Sequence, residues 1–104
     1  MAYRVVFAPE AQAQLASIYS YIAGEAGPRV ALAFMTAIVD YCESFTTFPK
    51  RGTRRDDLRR GMRTIGFRRR VTIAFAIEDE TVSIVGIFFG GQDVETALRR
   101  EGEE

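Results

Sequence analysis

The stretch of sequence that decides the fold is residues 71–89, VTIAFAIEDETVSIVGIFF, in which two apolar runs flank the acidic residues 78–80. From residue 71 to 77 large apolar side chains alternate with small or polar ones, the period of a strand with one buried face. Residues 81–89 read as a second strand that is apolar on both faces, which is typical of a strand inside a sheet.

Strict alternation along residues 81–89 divides the apolar side chains between the two faces. Val82, Ile84 and Phe88 are expected on one face. The opposite, outer face is expected to carry large side chains beside two alanines, which would make a shallow groove for a partner helix or strand. Its predicted members are Ala74, Ala76, Val85, Ile87 and Phe89.

Outward from these strands, residues 63–67 predict a further strand joined to residues 71–77 by a hairpin turn. Apolar residues spaced by three and four predict two amphipathic helices, over residues 10–25 and 30–48, separated by Gly27 and Pro28. With residues 3–7 as an N-terminal strand, the order is β-α-α-β-β-β, and residues 93–100 predict a short C-terminal helix. The fold class is therefore α+β, with an antiparallel helical hairpin on one face of a largely antiparallel sheet.

The chain of 104 residues, 47% apolar and 27% charged, predicts a single soluble domain over residues 1–104. One cysteine, Cys42, and no histidine exclude an internal disulfide and a thiolate metal site, so we expect no metal and a cytoplasmic protein. Residues 82–89 are the best apolar run and are too short to cross a bilayer, so no membrane partner is expected.

Charge is distributed very unevenly along the chain. Residues 50–70 hold ten of the fourteen basic side chains but only two acids, Asp56 and Asp57, so this stretch carries +8 and the remainder −8. Clustered guanidinium groups create a local positive potential that a net charge of zero conceals. The sequence therefore predicts an anionic partner.

The order of elements, combined with specific residues, resembles a ParE-type toxin of the RelE/ParE superfamily. The resemblance covers residues 3 to about 98 and combines small and apolar positions on the first helix with Phe-Pro and Gly punctuation before the strands. The residues that carry it are Ala11, Leu15, Phe48, Pro49, Gly52, Arg54, Leu58, Gly61, Met62 and Arg63.

This resemblance implies a bacterial toxin from a type II toxin-antitoxin pair, held inactive in a hetero-oligomeric complex by a ParD-like antitoxin. ParE-type members inhibit DNA gyrase by trapping its cleaved-DNA intermediate. RelE-type members share the fold but cleave mRNA on the ribosome. The fold alone does not choose between these activities.

Proton-transfer chemistry favours the gyrase inhibitor over the ribonuclease. Attack by an RNA 2′-hydroxyl needs a proton acceptor and a proton donor, whereas residues 88–92, at the end of the last strand, have no titrating side chain. Trapping a protein–DNA intermediate needs only preferential binding. We therefore expect no enzyme activity, no catalytic residues and no cofactor, with the ribonuclease and a non-toxic nucleic-acid-binding module as alternatives.

The basic residues have two interpretations. Arginines in a hairpin turn can simply keep a sheet edge soluble, and those near Asp56 and Asp57 can pair locally. Alternatively they bind an acidic antitoxin segment or the target, and Arg63 is the strongest candidate because its guanidinium can bind a carboxylate bidentately. Together with the outer-face residues, the predicted partner-binding set includes Arg63, Arg68, Arg69 and Arg70.

Overall fold

A computed structural model describes residues 2–90, and within them a two-helix layer covers one face of a five-stranded sheet. The two helices and the 3₁₀ turn that extends the second are α1 (Pro9–Ala26), α2 (Pro28–Glu43) and the turn Ser44–Thr46. The strands are β1 (Arg4–Phe7), β2 (Thr53–Arg54), β3 (Met62–Phe67), β4 (Val71–Glu78) and β5 (Thr81–Phe89). The α+β class and the order of the main elements are confirmed. The predicted C-terminal helix, residues 93–100, lies outside the described residues.

The sheet has the order β1-β5-β4-β3-β2, with β1 parallel to β5 and every other neighbour antiparallel. The sequence did not predict β2, which is only two residues long and pairs with the start of β3. Gly52 lets β2 approach β3 closely, because its φ is +77° and a Cβ there would collide with the backbone carbonyl of Thr64.

Proline positions fix where the helices begin. Pro9 and Pro28 occupy the first turns of α1 and α2, where the missing N–H costs nothing and the fixed φ suits the helix. A single residue, Gly27, connects the two helices, so α1 and α2 pack against each other as a hairpin, and α1 also lies on β5.

Two apolar clusters lie on the two faces of the sheet. The main core is between the helices and the sheet and contains Ala11, Leu15, Ile18, Ile38, Cys42, Phe45, Val71, Ile73, Phe75, Val82, Ile84 and Ile87. A smaller cluster on the outer face contains Leu58, Met62, Ala74, Val85 and Phe88. Leu58, from the turn before β3, thus covers part of the face that the sequence left without a partner.

Candidate partner-binding surfaces

The predicted site residues do not form one surface. The start of β3 carries Arg63, and the β3–β4 turn carries Arg68, Arg69 and Arg70. Arg63 and Arg68 are five positions apart along an extended chain, a distance of about 16 Å. The basic segment is therefore divided between the two ends of the sheet.

Arg70 and Phe89 come together at the turn end of the sheet. Both line an apolar groove of about 330 Å³ whose other residues are Tyr21, Ile22, Glu25, Ala26, Val30 and Phe34. The Phe89 ring lies 5.7 Å from the Tyr21 ring and 6.1 Å from the Phe34 ring, between centroids. The exposed aromatic and aliphatic surface here is suited to a protein partner, with Arg70 and Glu25 as polar groups at its rim.

The β3–β4 turn holds two arginines in a conformation that disfavours them. Arg68 and Arg69 have φ of 51° and 62°, in the left-handed region. For a residue with a Cβ this region costs about 1–2 kcal/mol. The predicted hairpin turn is confirmed, and both arginines are exposed in it.

On the outer face, the structure places Ala74, Ala76 and Val85 together. Ala74 is completely buried, Val85 is buried, and Ala76 packs beside them. These residues touch Leu58, Met62 and Phe88 rather than lining an open groove. The outer face therefore offers a partner less accessible surface than the sequence suggested.

Two predicted outer-face residues, Ile87 and Phe89, lie on the helix face instead. Ala74 pairs with Gly86 but Phe75 pairs with Ile84, so Val85 is an extra residue in β5. Such a β-bulge inverts the alternation after it, which moves Ile87 and Phe89 to the helices and Phe88 to the outer face. The prediction was wrong on this point, and with 1% of its surface exposed Ile87 cannot contact a partner directly.

Gly86 is the signal that could have revealed the bulge, because a glycine inside a strand often marks one. A Cβ on Gly86 would lie 2.6 Å from the Phe88 ring, so the glycine also makes room for that ring on the outer face.

Gln14 is a structural contact of β5 that sequence reasoning missed. Within residues 2–90, the pairing of β1 with β5 ends at Phe7 and Ile84, and further along this edge of β5 the Ile87 N–H donates to Gln14 Oε1 at 2.6 Å. The two residues are 73 positions apart, so no local pattern indicates their contact.

A basic cleft lies at the opposite end of β3. It has a volume of about 320 Å³ and is lined by Lys50, Arg54, Asp56, Gly61, Met62, Arg63 and Ile77. Arg54 and Arg63 are direct cross-strand partners in the β2–β3 ladder. Within the part of the chain that the structure describes, three cationic side chains and one carboxylate therefore line this cleft.

Asp56 organises this basic cleft. Its Oδ1 accepts the Gly61 N–H at 2.9 Å and its Oδ2 accepts from Arg54 at 3.0 Å. The Gly61 hydrogen bond, together with the charges of Arg54 and Arg63, holds the pKa of Asp56 below its usual range. Local pairing in the basic segment is confirmed, here and in the two hydrogen bonds from Arg55 to Asp57.

Residues 5–94, most of the chain, match the family profile of the ParE toxin of type II toxin-antitoxin systems. This chain belongs to the ParE toxin family. The match includes both the groove and the basic cleft.

The fold agrees with that of a solved ParE-related structure. A chain of the chromosomal ParDE toxin-antitoxin system from P. aeruginosa superposes with a TM-score of 0.74 at 22% identity, over 86% of this chain and 97% of the other. At that identity the likeness establishes the fold alone. No curated protein matches the sequence.

One arginine of the basic segment has a structural role in this ParE family member. The Arg51 guanidinium lies 4.9 Å from the Phe45 ring centroid and donates to the Phe48 carbonyl and the Ser44 hydroxyl. It thus fastens the chain after α2 to the core through cation–π and hydrogen-bond contacts. Arg51 is not among the side chains that line the basic cleft.

The remaining reactive group within residues 2–90 is the Cys42 thiol. Burial, with a smaller effect of Glu43, raises its pKa to about 12, so the thiol stays protonated and acts as a small apolar side chain. Over the same residues, no group of three histidine, cysteine or acidic side chains could hold a metal ion. Nor does the described part of the ParE family fold contain a helix long and apolar enough to cross a membrane.

Proposed function

We propose that this ParE family toxin inhibits DNA gyrase by trapping its cleaved-DNA intermediate, and that a ParD-like antitoxin neutralises it. The observation that carries the proposal is the family match over residues 5–94. The structural neighbour is itself part of a ParDE system, which supports an antitoxin as partner. In this proposal the protein is an inhibitor, not an enzyme, and acts in the cytoplasm.

The apolar groove is the proposed antitoxin site. Tyr21 and Val30 are 57% and 50% exposed, and both line the groove beside Phe89. Covering these side chains removes apolar surface from water, which stabilises a complex by roughly 25 cal/mol per Å² before the costs of association. The adjacent Arg68, Arg69 and Arg70 favour an antitoxin segment that is apolar toward the groove and acidic toward the turn.

Gyrase inhibition requires only that the toxin bind the cleaved complex more tightly than the resealed one. A ligand shifts an equilibrium by its difference in affinity for the two states, so no proton transfer is needed. A surface rich in arginine is chemically suited to a complex that contains exposed DNA phosphates.

A plasmid-cleavage assay tests this proposal. Gyrase, supercoiled plasmid, ATP and purified toxin are incubated, and protease releases protein-linked breaks before electrophoresis. We expect linear DNA to accumulate and purified antitoxin to suppress it. Normal supercoiling with an active, growth-arresting toxin would refute gyrase as the target.

The ribonuclease alternative gains one specific observation. Tyr21, Glu25 and Arg70 line the same groove at the end of β5, so a phenol, a carboxylate and a guanidinium are close to one another. These groups could act as acid, base and charge stabiliser. The Glu25→Gln variant separates the activities: loss of ribosome-dependent mRNA cleavage would support a nuclease, whereas gyrase inhibition should be unaffected.

A further inference from the structure

The basic cleft contains two like charges in positions that do not stabilise the fold. Arg54 and Arg63 face each other directly across the β2–β3 ladder, where Cβ atoms lie about 5 Å apart. Like charges in that position destabilise a sheet. An anion between the two guanidinium groups would reverse this cost, because each can bind an oxyanion through two parallel N–H groups.

Among residues 2–90, Asp56 is the one carboxylate that lines the cleft, and it does not balance the charge of the three cations there. Asp56 pairs with Arg54, and its other oxygen accepts from the Gly61 backbone. Arg63 donates a long bond of 3.4 Å to the Arg51 carbonyl, and Lys50 lines the same cleft. The described residues that line the cleft therefore carry a net charge of +2, which suits it to one multiply charged anion.

We propose that Lys50, Arg54 and Arg63 form a binding site for a phosphate of the DNA backbone. The inference deepens the proposed function, on which it rests for the identity of the DNA, because a contact to a phosphate of DNA held by gyrase would add to the affinity of the toxin for the cleaved complex. Phosphate contacts of this kind position a protein on DNA without reading sequence.

The chemistry of the cleft favours phosphate over an acidic peptide. A peptide interface needs accessible apolar anchors. Of the two apolar residues here, Met62 is 1% exposed and Ile77 packs against the main core. The exposed apolar side chains of the groove, Tyr21 and Val30, lie near the other end of β3. Exposed Arg59 and Arg60, in the turn before β3, extend the positive surface beside the cleft.

The decisive experiment is the fluorescence anisotropy of a labelled 20-base-pair DNA duplex, titrated with the purified chain over a series of salt concentrations. Each phosphate contact contributes about −0.9 to the slope of log K against log salt. We expect Arg63→Gln and Arg54→Gln each to weaken binding about tenfold and to reduce the magnitude of the slope by about one. Arg54 is the safer variant for folding, because its side chain is 72% exposed.

Two further variants make the test specific. Arg29→Gln removes the same charge from an exposed position on α2 and should leave the affinity nearly unchanged. Asp56→Asn retains an oxygen for the Gly61 N–H but removes the competing charge, so it should tighten binding. A merely structural role for Asp56 predicts weaker binding instead.

Two results of the DNA titration would overturn the proposal: no DNA binding by the wild-type chain at low salt, or equal effects of Arg63→Gln and Arg29→Gln. A polyglutamate peptide, titrated in the same way, tests the alternative of an acidic protein partner. If Arg63→Gln lost binding to this peptide but kept its affinity for DNA, the proposal would also be wrong. The plasmid-cleavage assay keeps the two proposals distinct. If the wild-type chain traps no cleaved DNA, gyrase is the wrong target, and the anisotropy titration still tests whether the cleft binds DNA phosphate. If Arg63→Gln traps as well as the wild type, gyrase remains the target and the proposed role of the cleft is wrong.

Discussion

The apolar groove and the basic cleft have nearly equal volumes, about 330 and 320 Å³, and lie toward opposite ends of β3, yet their chemistry is opposite. Aromatic and aliphatic side chains form the groove, whereas two arginines and a lysine surround the cleft. Apolar burial depends weakly on salt, while phosphate binding depends on it steeply. The salt dependence of binding can therefore distinguish a partner bound at the groove from one bound at the cleft.

The largest effect that distinguishes these regions is on stability. Ile87 lies under the helix layer beside the groove, so Ile87→Asp would bury an unpaired carboxylate and cost at least about 3 kcal/mol, enough to unfold a marginally stable domain. Urea denaturation followed by circular dichroism measures this cost. Val6→Asp, at a residue that is 38% exposed, is the control and should cost far less. A stably folded Ile87→Asp protein would mean that β5 has no bulge and that Ile87 faces outward.

That prediction reverses the one that strict alternation supports, and the reason shows how far sequence reasoning reaches. Helix and strand order follow from periodicity, which is local and is repeated several times in each element. The face of Ile87 depends on one inserted residue, Val85, and after the bulge each residue lies on the face opposite to the expected one.

The site shows the same limit. The sequence predicts both Arg70 and Phe89 as partner-binding residues. It does not predict the groove that they share, because that groove also depends on where α1 and α2 pack. The cleft could not be predicted either, because Arg54 lies opposite Arg63 only through β2, and a strand of two residues is too short to show any periodicity. Gln14 and Ile87 are joined by a contact across 73 residues. Local patterns thus predicted the parts, and tertiary pairing decided which parts meet.

The second prediction tests the groove as a protein-binding surface. Val30→Asp places a charge among groove residues and should weaken antitoxin binding about thirtyfold, or about 2 kcal/mol, with little dependence on salt. Leu32→Asp is a matched control, since Leu32 is on the same helix and is 54% exposed but does not line the groove. Calorimetric titration at two salt concentrations measures both variants. Equal losses would place the antitoxin elsewhere.

The third prediction concerns the strained turn between the groove and β3. Arg69 has a φ of 62°, so Arg69→Gly should stabilise the fold by up to about 1 kcal/mol. Arg70 is not among the residues with positive φ, so Arg70→Gly should destabilise the fold by about 0.5–1 kcal/mol although it removes the same charge. Thermal denaturation compares the two variants. If both stabilise equally, relief of charge repulsion, not of backbone strain, is the cause.

The smallest effect is expected in the basic cleft, where Asp56 titrates. Its folded-state pKa is lowered, so its contribution to stability is present above the unfolded-state pKa and is lost as pH falls through the lower, folded value. The Gly61 amide, which donates to Asp56 Oδ1, should therefore shift in ¹⁵N-resolved NMR spectra with a midpoint below the usual aspartate range, and Asp56→Asn should abolish the shift. The same protonation makes the cleft more positive, so its affinity for phosphate should rise where the stability of the fold declines. A Gly61 midpoint at the ordinary aspartate value would show that the Gly61 hydrogen bond and the two arginines do not lower the pKa of Asp56. The protonation of Asp56 would then not be coupled to the charges of the cleft, and pH would not distinguish the cleft from the groove in this way.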